Sequence, residues 1–71
     1  MITVVVGKRV KELRNGIGLS QEKLALRAGV DRTYLAGIES GKRNVTITSL
    51  EKITNALEIS LKDFFDFNII D

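Results

Sequence analysis

Apolar residues recur at three- and four-residue spacing along most of the chain, the pattern of helices that each bury one face. Val6, Val10, Leu13 and Ile17 form the first stripe, with Lys8, Arg9, Lys11 and Glu12 between them, and it stops near Asn15-Gly16. The β-branched run from Thr3 to Val6 suits either a short strand that pairs between subunits or a first helical turn capped by Thr3, of which the helix is the favoured reading.

The remaining elements are announced by caps. Ser20 is a natural N-cap for a helix over residues 21–28, with Glu22 in its positive first turn and Gly29 at its end. Asp31 caps a third helix, where Val30 can staple onto Leu35, and Gly41 offers a left-handed residue to close it. A loop from Lys42 to Ile47 follows. Thr48-Ser49-Leu50-Glu51 matches a capping box ahead of an apolar stripe of Leu50, Ile53, Ala56 and Leu57. Ser60-Leu61-Lys62-Asp63 repeats the device, with Ile59 and Phe64 as the staple of a short fifth helix. Proline is absent and glycine comes singly, so no linker divides the chain. The expectation is an all-α, compact five-helix single domain over residues 1–71. The tail from Asp66 to Asp71 is too apolar for an ordinary frayed end and is expected to pack on something.

A helix of about eight residues, a tight glycine turn and a second helix with a polar start make a helix-turn-helix over about residues 20–40. Gly29 is the hinge, and Ala25, Ala28 and Ala36 are small enough for the two helices to cross closely. By spacing alone, many helical hairpins with no nucleic-acid role share this arrangement.

Composition narrows the chemistry. The 71 residues form one small domain, of a size that buries only about 60% of the surface its unfolded chain exposes. With neither cysteine nor histidine there is no disulfide, no thiolate metal site and no imidazole base, so neither cofactor, metal nor catalysis is expected. Glu51, Glu58, Asp63 and Asp66 fit caps or exposed faces rather than an acid-base cluster. The Ile2–Val6 run is too short for a signal-peptide core and no longer apolar run follows, which predicts a soluble cytoplasmic protein with no membrane contact. Charge is unevenly placed. Residues 1–43 carry nine Lys/Arg against four Asp/Glu, a net +5, and residues 44–71 carry two against five, a net −3. Such polarity fits a domain whose front meets a polyanion.

The segment Ser20-Gln21-Glu22-x-Leu24-Ala25-x-x-Ala28-Gly29-Val30, followed by Ala36-Gly37-Ile38-Glu39-Ser40-Gly41, resembles the Cro/phage-repressor (XRE) type of helix-turn-helix. The likeness extends back to Leu13-Arg14 and forward through Leu50-Glu51-Lys52-Ile53 and Ala56-Leu57 to Phe64-Phe65. Within that family, Asp31-Arg32-Thr33-Tyr34-Leu35 with Ile38-Glu39 and Arg43-Asn44 is most similar to restriction-modification controller proteins. The resemblance implies a lambda-repressor-like regulator of bacterial or phage origin, nucleoid-associated, that dimerises and reads a pseudo-palindromic double-stranded DNA operator with its third helix in the major groove.

Side-chain chemistry agrees with that expectation. Arg32, Thr33 and Tyr34 are the expected base-reading residues: Arg32 can present a bidentate fork to guanine, Thr33 can contact a thymine methyl or make a hydrogen bond, and Tyr34 can set its ring on the groove wall or sugar and its hydroxyl on a phosphate, unless the ring is buried on the second helix. Gly37, one turn after Thr33, stands where the family often has a base-contacting side chain, so fewer bases are read from there. Gln21, an amide donor beside free backbone N–H groups, is an expected phosphate contact; the resemblance implies that Arg43 and Asn44 grip the sugar-phosphate backbone, with Lys42 adding charge and Lys8 and Arg9 as further cations in reach. The resemblance pairs Arg14 with Glu39 as a structural ion pair. Ile59, Leu61, Phe64, Phe65, Phe67 and Ile69 are more apolar surface than a last helix needs, which points to a homodimer interface. Protein concentration is then the controlling signal, with no small-molecule effector. RNA polymerase is a further partner if the protein activates, with Glu22, Glu51 or Asp63 as contacts. A phage-type repressor, the antitoxin of a toxin-antitoxin pair, or a protein-interaction module acting through the apolar tail are the competing readings.

Overall fold

A computed structural model describes residues 1–67, in which five helices follow one another as α1 (Ile2–Gly16), α2 (Gln21–Ala28), α3 (Arg32–Glu39), α4 (Ile47–Ala56) and α5 (Leu61–Phe64). None of the described residues lies in a strand. Ile69, one of the expected interface residues, lies outside the described residues.

The same device opens α2 to α5. Ser20 accepts the Lys23 N–H at 3.1 Å, Asp31 those of Thr33 and Tyr34 at 2.7 and 3.2 Å, Thr46 that of Ser49 at 3.0 Å and Ser60 that of Asp63 at 3.0 Å. Each cap is flanked by an apolar pair in staple register, Leu19/Leu24, Val30/Leu35, Val45/Leu50 and Ile59/Phe64, all within or packed against the core. A cap of this kind contributes about 1 kcal/mol, so short helices are held by their ends as well as by burial.

Three local expectations are corrected. The α4 cap is Thr46 rather than Thr48, because starting there puts Val45 and Leu50 on the core together, whereas Thr48 is exposed inside the helix. Thr3 does not cap α1; the helix starts at Ile2 behind Met1 with no side-chain cap, and the Thr3–Val6 run is helical. Ile17 leaves the stripe: it is 53% exposed, because Gly18 at φ 72° turns the chain and Leu19 enters the core in its place. At the far end of α4, Glu58 adopts φ 58°, a left-handed conformation that the sequence does not mark with glycine.

The core gathers one stripe from every helix: Val6 and Val10, Leu24, Leu35 and Ile38, Leu50 and Ile53, and Phe64. Gly7 lets α1 lie directly on the end of α3, where any Cβ would overlap the Ile38 carbonyl oxygen. Phe64 is 0% exposed and anchors α5, which corrects its assignment to a dimer interface, since it has no surface left to offer. Arg9 ties α1 to α5: Nε donates to the Phe64 carbonyl at 2.8 Å, Nη2 to the Asp63 carbonyl at 2.9 Å, and Nη1 pairs with Glu12 at 2.7 Å. A cation at the last carbonyls of a helix satisfies acceptors that the helix itself leaves open. The expectation that Arg9 approaches a phosphate is corrected accordingly, because its donors are engaged on the α5 side of the molecule.

Candidate nucleic-acid interface

The turn between α2 and α3 is set by Gly29 at φ 70°, after which the Val30 N–H returns to the Ala25 carbonyl at 3.0 Å. Asp31 then caps α3, which leaves Arg32 and Thr33 on its exposed first turn. Leu35 and Ile38 bury the opposite face, so the helix presents its polar N-terminal end outward from a fixed base.

Behind α3 lies a buried charge network. Arg14 donates from Nε to Glu39 Oε2 at 2.8 Å and from Nη2 to Oε1 at 2.9 Å, with Nη1 on the Leu19 carbonyl at 2.7 Å. Both side chains are more than nine-tenths buried. The Glu39 bonds hold the Arg14 guanidinium above its usual range, against the opposing effect of burial. Gln21 joins them, its amide donating to Glu39 Oε1 at 3.1 Å. The side chain expected to meet phosphate is therefore parked on the carboxylate in the free chain, which ties the first turn of α2 to the end of α3.

Tyr34 faces the loop after α3 and the start of α4 rather than α2. Its hydroxyl donates to the Asn44 carbonyl at 3.4 Å and accepts the Thr46 N–H at 3.3 Å. Hydrogen bonding with Ser49 is the main cause that lowers the phenol pKa below its ordinary value, outweighing burial, with Thr46 and the Arg43 charge adding to it. The Arg43 guanidinium carbon sits 5.3 Å from the centre of the Tyr34 ring, within cation–π range. Lys42, Arg43 and Asn44 are all exposed, and the loop that carries them is pinned where the Lys42 and Arg43 N–H groups meet the Gly37 carbonyl at 3.0 and 3.1 Å. Thr46 and Ser49 were missed as part of this surface; their i, i+3 spacing, the same as in the other caps, is the signal that could have found them.

The predicted interface residues separate. Leu61 and Phe65 are exposed, Ile59 is half-buried against the core, and Phe67 stacks on Phe65 at 6.4 Å beneath the Arg9 guanidinium. Two apolar residues distant in sequence join the exposed set: Ile2 and Ile47, the latter 80% exposed, border with Phe65 an open groove of about 250 Å³ floored by Val6 and Leu50. Among the described residues there is no cluster of three metal-ligating side chains and no helix long and apolar enough to cross a membrane.

The helix-turn-helix family pattern matches residues 10–64, and the chain belongs to this family of DNA-binding transcription regulators rather than to an enzyme family. The particular members it resembles are restriction-modification controllers. It is 41% identical to the control protein C.BamHI of Bacillus amyloliquefaciens over 70 residues, covering 97% of this chain and 86% of the relative. The crystal structure of the controller protein C.AhdI from Aeromonas hydrophila superposes with a TM-score of 0.86 at 44% identity, over 89% of this chain and 96% of that one. The controller C.Esp1396I bound to a 25 base pair operator site superposes with a TM-score of 0.87 at 42% identity, over 93% of this chain and 87% of that one. It has also been solved as a tetramer on its natural 35 base-pair operator.

Proposed function

We propose that the chain is a restriction-modification controller that binds a pseudo-palindromic operator as a homodimer and regulates its own operon. The observation that carries this reading is the placement of Arg32 and Thr33 on an exposed, Asp31-capped first turn, in a chain similar to a controller solved on its operator. Arg32 reads guanine through its fork and Thr33 reads the neighbouring base, while Tyr34, tied through its hydroxyl to the start of α4, offers its ring edge to the groove wall. Arg43, Lys42 and Asn44 grip the backbone beside them, and Gln21 turns its amide from Glu39 to a phosphate on binding.

Dimerisation is supported by the open apolar groove that Ile2, Ile47 and Phe65 border, with the exposed Leu61 one helical turn before Phe65. Two copies then set their α3 helices about 34–36 Å apart, one DNA turn. Occupancy rises steeply with protein concentration, because the dimer is populated by mass action.

Selection of random-sequence duplexes by the purified protein at about 150 mM salt tests this reading. Enrichment of two inverted half-sites centred about 10 to 11 base pairs apart is the expected result. Enrichment of no motif overturns it and leaves the apolar set as the functional surface, to be searched for a protein partner.

A further inference from the structure

Glycine is the poorest helix former after proline, yet Gly37 stands in the middle of the eight-residue α3. Its backbone does not require glycine, since its φ is not positive. What requires it is Arg43. A Cβ at position 37 would lie 2.5 Å from Arg43 Cγ, 3.3 Å from its Cβ and 3.7 Å from its Cδ. The Gly37 carbonyl accepts the Lys42 and Arg43 N–H groups and, at 3.0 Å, the Ser40 hydroxyl, so the loop is fastened at the one residue of α3 that has no side chain. The Arg43 stem uses that bare position as its floor, and its guanidinium arrives over the Tyr34 ring.

We infer that Gly37 is a positioning residue for DNA binding: its missing side chain lays Arg43 along the exposed face of α3, so that the guanidinium is oriented before the duplex arrives. The position one turn after Thr33 is then served by an arginine from the following loop, whose stem occupies the space a side chain of α3 would otherwise fill. An arginine free in solution loses much rotamer freedom when it is fixed on a ligand. A stem already packed on backbone and a head already stacked on an aromatic ring lose less, which strengthens binding with no added contact. The inference rests on the reading of Arg43 as a DNA contact.

Four proteins test it: the natural chain, Gly37→Ala, Arg43→Ala and the double variant. Their affinities are measured for a labelled duplex carrying the site that the natural protein enriches from random DNA. Alanine suits a helix interior, so Gly37→Ala is expected to keep its melting temperature and to weaken binding on the order of tenfold, as does Arg43→Ala. In the Arg43→Ala background, Gly37→Ala is expected to have no further effect, an outcome that a merely structural role for Gly37 does not produce. Tyr34 is the only tyrosine and the chain has no tryptophan, so its emission reads the stacked guanidinium without DNA. Emission should change alike in both single variants. If Arg43→Ala weakens binding and Gly37→Ala does not, or if the two losses add, the inference is overturned while the DNA role of Arg43 stands. If Arg43→Ala leaves affinity unchanged, the DNA role itself fails and the inference with it. Natural emission in Gly37→Ala means that Arg43 has not moved, which also overturns it.

Discussion

The Arg14 guanidinium and the Glu39 carboxylate meet in a two-bond fork, 2.8 and 2.9 Å, across 25 residues of sequence. The pair joins α1 to the last turn of α3, and the Gln21 amide extends it to α2. Removing one partner leaves the other buried and unmatched, so Arg14→Met or Glu39→Leu alone is expected to cost about 3–5 kcal/mol, while the double replacement recovers most of that loss. Urea unfolding of the three variants decides; single losses below about 1 kcal/mol would mean that water reaches the orphaned charge.

Gly7 is expected to tolerate nothing larger. Alanine there drives a Cβ into the Ile38 carbonyl, and backbone cannot rotate aside as a side chain can. Despite the better helix propensity of alanine, Gly7→Ala should lower stability by about 1–3 kcal/mol. A thermal melt at or above that of the natural chain would show that α1 slides to make room.

Glu58 should behave in the opposite sense. It holds φ 58° where glycine is unstrained, just after the Leu57 C-cap of α4. Glu58→Gly is therefore expected to stabilise the fold by about 0.5–1 kcal/mol, read as a rise in the urea midpoint. A fall would show that the Glu58 side chain contributes more than its backbone costs.

Phe64 and Phe65 are neighbours with different work. Phe64→Ala empties the core and should destabilise by about 3–5 kcal/mol. Phe65, 39% exposed, should accept glutamate with little change in monomer stability, yet sedimentation should shift from dimer to monomer and operator affinity should fall. A Phe65→Glu protein that sediments as the natural one does would remove this face from the assembly.

Tyr34 gives a pH signature. Its phenol pKa is lowered in the fold, chiefly by hydrogen bonding with Ser49, so the folded chain releases this proton before the unfolded one does. The contribution of this group to stability is absent below the folded midpoint, grows as pH rises through it and is complete above the unfolded midpoint. Ultraviolet titration of this single tyrosine should give a lower midpoint in buffer than in urea, and Tyr34→Phe should lose the matching rise in stability. Equal midpoints would place the hydroxyl in open water.

Much of the fold was legible because the signals that make it act over a few residues. Ser20, Asp31 and Ser60 cap the helices they were expected to cap, and Gly29 and Gly41 take the left-handed turns. The start of α4 is not legible in the same way, because Thr46 and Thr48 are both residues that cap helices and the capping box Thr48-x-x-Glu51 favours the second, while the packing of Val45 and Leu50 chooses the first. The exposed polar start of α3 follows from its cap and stripe alone. The surface beside it does not: nothing in the order of residues says that Arg43 lies over Gly37, or that the Tyr34 hydroxyl reaches Thr46.

Sequence by itself determined the five helices and their limits to within two residues, since periodicity, caps and glycine turns are properties of near neighbours, and the particular residues of Ser20–Val30 and Ala36–Gly41 carried the resemblance to the family. Tertiary structure decided which of two adjacent phenylalanines enters the core, that Arg9 serves α5 rather than a phosphate, and that a glycine missing its side chain is filled by an arginine six residues on. Those outcomes depend on which faces of separate helices meet, and close packing settles that only when the whole chain has folded.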